Sequence, residues 1–183
     1  MKKTVLTFGV ISGVIASVLL MAHLPFVERI GFDKGQILGY TALVLSFLLV
    51  FFGIRSYRDN VNGGHITFGK AFSVGILITL ISCAFYIVTW QFLYYFVMPD
   101  FVDKLVNHML EQARNSGGSP GEIATQTDRI RTLFEWYKNP LVNVAFTLIE
   151  PLSVGLPVTL ISSAILRKKP AQSDTGHAVT AMT

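Results

Sequence analysis

One carboxylate lies deep inside a long apolar run near the end of the chain. The run is Ala145 to Ile161, AFTLIEPLSVGLPVTLI, and Glu150 is its only acid. A charged carboxylate at the centre of a bilayer costs about 2.5–3.5 kcal/mol on insertion scales, and such a residue is a functional candidate by default. Glu150 can accept a hydrogen bond, bind a proton or bind a cation, and these are the chemistries to weigh.

If the run is helical, Glu150 belongs to a polar stripe. At 100° per residue, five residues fall within about a third of the helix circumference: Asn143, Thr147, Glu150, Ser153 and Pro157. We expect this stripe to face other helices. Pro151 and Pro157 lack an N–H, so the carbonyls of Thr147 and Ser153 lose their helical donors. These prolines are also candidate hinges.

Three residues on other predicted helices approach the same depth as Glu150 and are candidate partners: Gln91, Tyr86 and His23. One hypothesis is structural, in which a hydrogen bond to a largely neutral Glu150 pins its helix. The other is a small proton- or cation-coupled transporter or channel that uses Glu150. We favour the structural hypothesis because four spans are few for a transporter and no inverted repeat or second intramembrane charge is apparent.

The elements that must position these residues are membrane spans. The chain is 51% hydrophobic and only 14% charged, with the charges clustered between apolar runs. Runs of about 20 apolar residues cross a bilayer, and four are present, at residues 4–24, 36–54, 71–98 and 141–166. We predict an all-α integral membrane four-helix bundle, forming one domain over residues 1–169, with a disordered cytoplasmic tail at 170–183.

The first run begins like a signal peptide, with Lys2 and Lys3 before the apolar stretch. It is long and lacks a clear small-x-small cleavage site, so we expect a retained span. Basic residues are densest beside the span ends on one side: Lys2, Lys3, Arg55, Arg58, Lys70, Arg167, Lys168 and Lys169. The positive-inside rule therefore predicts that both termini are cytoplasmic.

The segment between the third and fourth spans, residues 99–140, is predicted to be an outer hairpin of two amphipathic helices. Asp100 is a candidate cap of the first helix, and Ser119 with Glu122 forms a capping-box pattern at the start of the second. The hairpin buries its apolar stripes against itself or the membrane, or it serves as a partner- or ligand-binding cap. His108 is expected on a solvated face.

Small residues recur at every fourth position on two spans and predict close helix packing. They are Gly9, Gly13 and Ser17 on the first span, and Ala71, Gly75, Thr79 and Cys83 on the third. We favour packing within one bundle over a homodimer, because four spans already offer partners for one another.

No catalytic residue, metal site or cofactor is predicted, because no nucleophile–base spacing, ligand cluster or phosphate loop is present. The net charge of +4 does not indicate nucleic-acid binding, because the basic residues lie at the ends of apolar runs and do not form a basic stripe. The expected partners are the lipid bilayer and, as alternatives, a second copy or another membrane protein.

Three segments carry a family resemblance: GIRSYRDN, GGHITFGKAFSVGILITLIS and the closing LRKK. They resemble small four-helix bacterial membrane proteins catalogued as a domain of unknown function (number 4199), over nearly the whole chain. The resemblance implies a location in the bacterial inner membrane and no known reaction, cofactor or ligand. Within these segments, Asn62-Gly63-Gly64 is a turn signal and Thr67 is a candidate helix cap.

Overall fold

The computed structural model describes residues 1–168 as six α-helices. In chain order these are α1 Lys2–Ile30, α2 Phe32–Asn60, α3 Phe68–Phe92, α4 Phe101–Arg114, α5 Pro120–Tyr137 and α6 Pro140–Leu166. A short π-helical segment, Leu93–Val97, continues α3. Residues 1–168 contain no strand beyond one isolated bridge, so the all-α prediction is confirmed. The predicted disordered tail, residues 170–183, lies outside the described residues.

Four helices are long and apolar enough to cross a membrane: Lys2–Val27, Phe32–Asn60, Phe68–Val97 and Pro140–Leu166. They correspond one to one with the predicted spans. The first two continue well past the predicted apolar cores, and only Gly31 separates α1 from α2. Gly31 has a φ of 89°, a left-handed conformation that glycine adopts without the penalty of a Cβ. One residue therefore reverses the chain between two membrane helices.

The four long helices, here called the bundle, pack side by side in the order α1, α2, α6, α3. Both α2 and α3 pack along α1 and along α6, and they also touch each other across the middle. We call the end that carries α4 and α5 the hairpin end. The opposite end, which carries the α2–α3 connection and the last residues of α6, is the loop end.

Helix α3 packs against the small-residue stripe of α1, which consists of Gly9, Gly13 and Ser17. A Cβ at Gly9 would lie 2.9 Å from Cβ of Ile81, and one at Gly13 would lie 2.8 Å from Cβ of Phe85. One turn further on, the hydroxyl of Thr89 donates to Ser17 Oγ at 2.8 Å. Even a methyl group would therefore force α1 and α3 apart at two of these positions.

The stripe of α3, from Ala71 through Gly75 and Thr79 to Cys83, is buried throughout. A Cβ at Gly75 would lie 2.8 Å from Cγ2 of Thr159 on α6 and 2.9 Å from Cδ1 of Ile54 on α2. Both predicted stripes are thus occupied by helices of the same chain, which leaves neither of them free to form a homodimer contact.

The hairpin docks on the bundle through aromatic rings. Phe101 at the start of α4 is buried, with its ring centroid 5.8 Å from the rings of both Phe32 and Trp90. His108 also lies against Phe32, at 5.0 Å, and its Nε2 is buried 3.7 Å from Oδ1 of Asp33. The prediction of a solvated His108 was therefore wrong, because α4 turns this side chain toward the first turn of α2.

Of the two predicted caps in the hairpin, one is confirmed. Ser119 and Glu122 form the reciprocal capping box, and the hydrogen bonds from the Ser119 backbone N–H and hydroxyl lower the pKa of the Glu122 carboxyl. Asp100 stands at the cap position of α4 but makes no side-chain cap hydrogen bond. Its own backbone is already helical, with φ −85° and ψ −3°, whereas a capping side chain needs an extended backbone.

At the loop end, the three resembling segments come together. Thr67 Oγ1 accepts from the Lys70 backbone N–H at 3.4 Å, as its predicted capping role requires. Ile66 and Lys168 exchange two backbone hydrogen bonds of 2.9 Å in an antiparallel bridge, and Arg58 Nη1 donates to the Leu166 carbonyl at 3.4 Å. The last residues of α6 are therefore tied to the α2–α3 connection.

We predict that Gly13→Leu lowers the free energy of unfolding by about 1–3 kcal/mol or more, because the new side chain must displace Phe85. Thermal unfolding in detergent measures this loss. Gly121→Leu is the matched control, since a Cβ at Gly121 meets nothing within 4 Å. Conversion of a dimer to a monomer by Gly13→Leu, without loss of monomer stability, would contradict packing of this stripe within the chain.

We predict that Phe101→Ala loosens the hairpin, because truncation of a buried phenylalanine typically costs about 3–5 kcal/mol. Limited trypsin digestion in detergent is expected to cut at Arg114, Arg129 and Arg131 faster than in the parent protein. Phe96→Ala is the matched control, since the Phe96 side chain is 78% exposed. Equal cleavage rates in the two variants would show that Phe101 does not hold the hairpin.

Candidate functional site: a polar cluster in the hairpin half of the bundle

The buried face of α6 follows every fourth residue. Six residues at this spacing are buried: Asn143, Thr147, Pro151, Gly155, Thr159 and Ser163. The predicted inward stripe was therefore wrong for Ser153 and Pro157, which are exposed. Side-chain size decides this face, because Gly155 lets Thr79 and Phe47 approach closely. The four-residue spacing of small residues, which identified the stripes of α1 and α3, was also present in α6.

Glu150 precedes Pro151 and is half-buried. The hydroxyl of Tyr86, a buried residue on α3, donates to Glu150 Oε2 at 2.9 Å. This joins the predicted acid to one of its three predicted partners. Ser153, although exposed, donates its hydroxyl to the Glu150 backbone carbonyl at 2.7 Å. Pro151 is buried and Pro157 exposed, so the two candidate hinges lie on different faces of α6.

Gln91, the second predicted partner, meets Asn143 instead of Glu150. Gln91 Nε2 donates to Asn143 Oδ1 at 2.7 Å, and the hydroxyl of Thr147 donates to the Asn143 backbone carbonyl at 2.8 Å. Asn143 is completely buried, yet its Nδ2 has no hydrogen-bond partner among residues 1–168. A buried amide donor without a partner typically marks a place where an ordered water or a ligand binds.

His23, the third predicted partner, makes no hydrogen bond to Glu150. Its Nδ1 lies 3.1 Å from the Leu19 carbonyl on its own helix, and its Nε2 lies beside Gly39, 3.3 Å from where a Cβ would stand.

Two members of the cluster were not predicted as site residues. Trp90 Nε1 donates to the hydroxyl of Tyr137 at 2.9 Å. Burial raises the pKa of Tyr137, so its hydroxyl stays neutral. The sequence signal for Tyr137 was its place two residues before Asn139-Pro140, which brings the end of α5 to the start of α6.

Between Glu150 and the loop end, the interior of the bundle is closely packed. A Cβ at Gly155 would lie 2.5 Å from Thr79 Cγ2 and 3.0 Å from Phe47 Cε1, and Phe47 is only 1% exposed. The hydroxyls of Thr79 and Thr159 bond each other at 3.0 Å, which satisfies both groups locally. The cluster around Glu150 is therefore separated from the loop end by close packing at these residues.

The described part of the chain contains no group of three or more His, Cys, Asp or Glu side chains placed to hold a metal ion. Cys83, in the stripe of α3, is a buried free thiol. The chemistry that the cluster offers is therefore hydrogen bonding by amides and hydroxyls around a single carboxylate.

We predict that Gln91→Leu destabilises the bundle by about 0.6–1.7 kcal/mol, because it removes a short hydrogen bond between two membrane helices. The measurement is thermal unfolding in detergent. Ser153→Ala serves as the control: it removes a hydroxyl from an exposed position on α6 and is expected to change stability by no more than about 0.5 kcal/mol. Equal losses of stability in the two variants would show that the Gln91–Asn143 hydrogen bond does not stabilise the bundle.

Comparison with known proteins gives one match. A family model described as "Protein of unknown function (DUF4199)" matches residues 7–168. No curated protein and no solved structure matches the chain.

Proposed function

Since the chain belongs to the DUF4199 family, whose model spans nearly its whole length, we propose that it is a non-enzymatic structural or partner-binding component of a membrane. The observation that carries this proposal is the Tyr86–Glu150 hydrogen bond above a filled interior. In this proposal the hydrogen bond from Tyr86 to Glu150 holds α6 against α3. The closely packed residues between Glu150 and the loop end leave no water-filled path through the bundle.

The energetic argument concerns an acid in a membrane. Hydrogen bonds between membrane helices contribute about 0.6 kcal/mol on average and up to about 1.7 kcal/mol. This is less than the cost of inserting a charged carboxylate, so the hydrogen bond does not offset that cost, and the bundle is most stable when Glu150 is neutral. A neutral acid held by a tyrosine positions a helix without requiring a second charge, and among the described residues no charged side chain hydrogen-bonds Glu150.

The surface proposed for a partner lies on α5. This helix has no buried residue, and it exposes Trp136 (64%) and Leu133 beside a shallow groove. The groove of about 430 Å³ is also lined by Thr125, Asp128, Arg129 and Thr132. An exposed tryptophan beside charged and polar groups is typical of interfaces with proteins and with the membrane surface.

We also propose that the membrane is the bacterial inner membrane and that both termini are cytoplasmic. The family resemblance supports the location. The orientation rests on the basic residues that cluster at the loop end of the bundle. In this orientation the hairpin and the Glu150 cluster lie in the outer half.

A proton or cation site is the second candidate function. It is favoured by two features of the same cluster: Glu150 is only half-buried, and the buried Nδ2 of Asn143 has no partner among residues 1–168. Together they offer an acceptor and a donor to a bound water, proton carrier or small cation.

Glu150→Gln and Tyr86→Phe, alone and combined, separate the two functions. The structural proposal predicts that each single variant lowers stability in detergent, with a coupling of about 0.6–1.7 kcal/mol between them. It also predicts that proteoliposomes show no proton or cation flux that depends on Glu150.

Glu111→Gln is the matched control, an acid-to-amide change at an exposed position of α4. A flux that Glu150→Gln abolishes, while the control retains it, would replace the structural function by transport. If Glu150→Gln, Tyr86→Phe and the double variant are all as stable as the parent protein, the structural role of the Tyr86–Glu150 hydrogen bond is refuted.

A further inference from the structure

The loop end of the bundle is strongly basic. Seven basic side chains of the described residues belong to the helix ends that meet here: Lys2, Lys3, Arg55, Arg58, Lys70, Arg167 and Lys168. Within residues 1–168, Asp59 is the only carboxylate at the same helix ends. The charge imbalance follows from the fold, because four helices place their basic termini at one end.

The single carboxylate is already engaged. Asp59 accepts from Arg58 Nε at 2.7 Å and lies 3.7 Å from Arg55 Nε. Five cations therefore have no carboxylate partner among the described residues: Lys2, Lys3, Lys70, Arg167 and Lys168. All five are exposed, so they are available to an anion that comes from outside the chain.

The backbone bridge holds part of this charge in place. Because Ile66 and Lys168 exchange two hydrogen bonds, the two residues after α6 lie beside the segment that begins α3. Arg58, which donates to the Leu166 carbonyl, fastens the same end from α2. Arg167 and Lys168 are thus positioned by the fold.

Apolar side chains border the basic residues. Phe68, at the start of α3, is 42% exposed and stacks on Phe72 at 6.3 Å, and Phe52 on α2 is 50% exposed. These rings lie on the membrane-spanning helices, within one helical turn of Lys70 and Arg55 along the chain. A ligand that satisfies both features carries a negative head and an apolar tail.

We propose that the loop end binds anionic phospholipids, with the head-group phosphate held by Arg167, Lys168 and Lys70. Charge complementarity favours an anion, and the bordering aromatic rings favour a lipid over free phosphate. Clusters of four to eight basic residues beside membrane helices recognise anionic lipids in this way. The inference does not rest on the role of Glu150 and holds for either function of the polar cluster.

The test is native mass spectrometry of the full chain in detergent, with phosphatidylglycerol and phosphatidylcholine of equal chain length as probes. We expect the parent protein to bind phosphatidylglycerol in preference. Arg167→Gln/Lys168→Gln is expected to weaken that binding about 25-fold, at about fivefold for each lost cation. The bridge survives this change because it is made by backbone atoms.

Two controls make the outcome specific. Arg114→Gln/Arg131→Gln removes the same charge from exposed positions of the hairpin and is expected to retain binding, as is the charge-conserving Arg167→Lys/Lys168→Arg. Equal binding of the two lipids, or an equal loss in the hairpin variant, would overturn the proposal. Displacement of the lipid by millimolar inorganic phosphate would assign the site to free anions instead.

Discussion

The structure depends on how closely α3 approaches its neighbours. In a membrane, helices gain little from burying apolar surface, because lipid is as apolar as leucine, so they associate where small residues let backbones come close. Gly9 and Gly13 admit α3 on one side, and Gly155 admits Thr79 on the other. The same contacts that hold the bundle together therefore determine which polar groups can meet inside it.

The polar cluster is a result of this packing. Gly155 and Thr159 fix the position of α6 along α3, and this brings Glu150 to Tyr86. The same alignment brings Asn143, seven residues before Glu150 on α6, to Gln91, five residues after Tyr86 on α3. Trp90 and Tyr137 extend the cluster into the hairpin. The hairpin is thus joined to α3 by a hydrogen bond and to α6 by the chain itself, and the cluster lies where α3, α6 and the hairpin converge.

Sequence predicted the spans, the hairpin, its capping box and the Thr67 cap, because each depends on local periodicity or on neighbouring residues. It also placed Glu150 and Tyr86 at one depth. It was wrong for the face of α6, where polarity suggested Ser153 and Pro157 but size selected Gly155 and Thr159. The surroundings of His108 and the Trp90–Tyr137 bond could not be predicted, because they depend on how α4 and α5 fold back on the bundle.

The bridge between Ile66 and Lys168 changes the mechanics of α6. This helix is attached at one end by Tyr86 and Gln91 and at the other by the bridge and Arg58. Pro151 and Pro157 lie between these attachments, where each removes a backbone hydrogen bond and weakens the helix against bending. With both ends attached, α6 can bend at these prolines but cannot slide along α3 or rotate about its own axis. A displacement of the hairpin is therefore expected to be taken up by bending of α6.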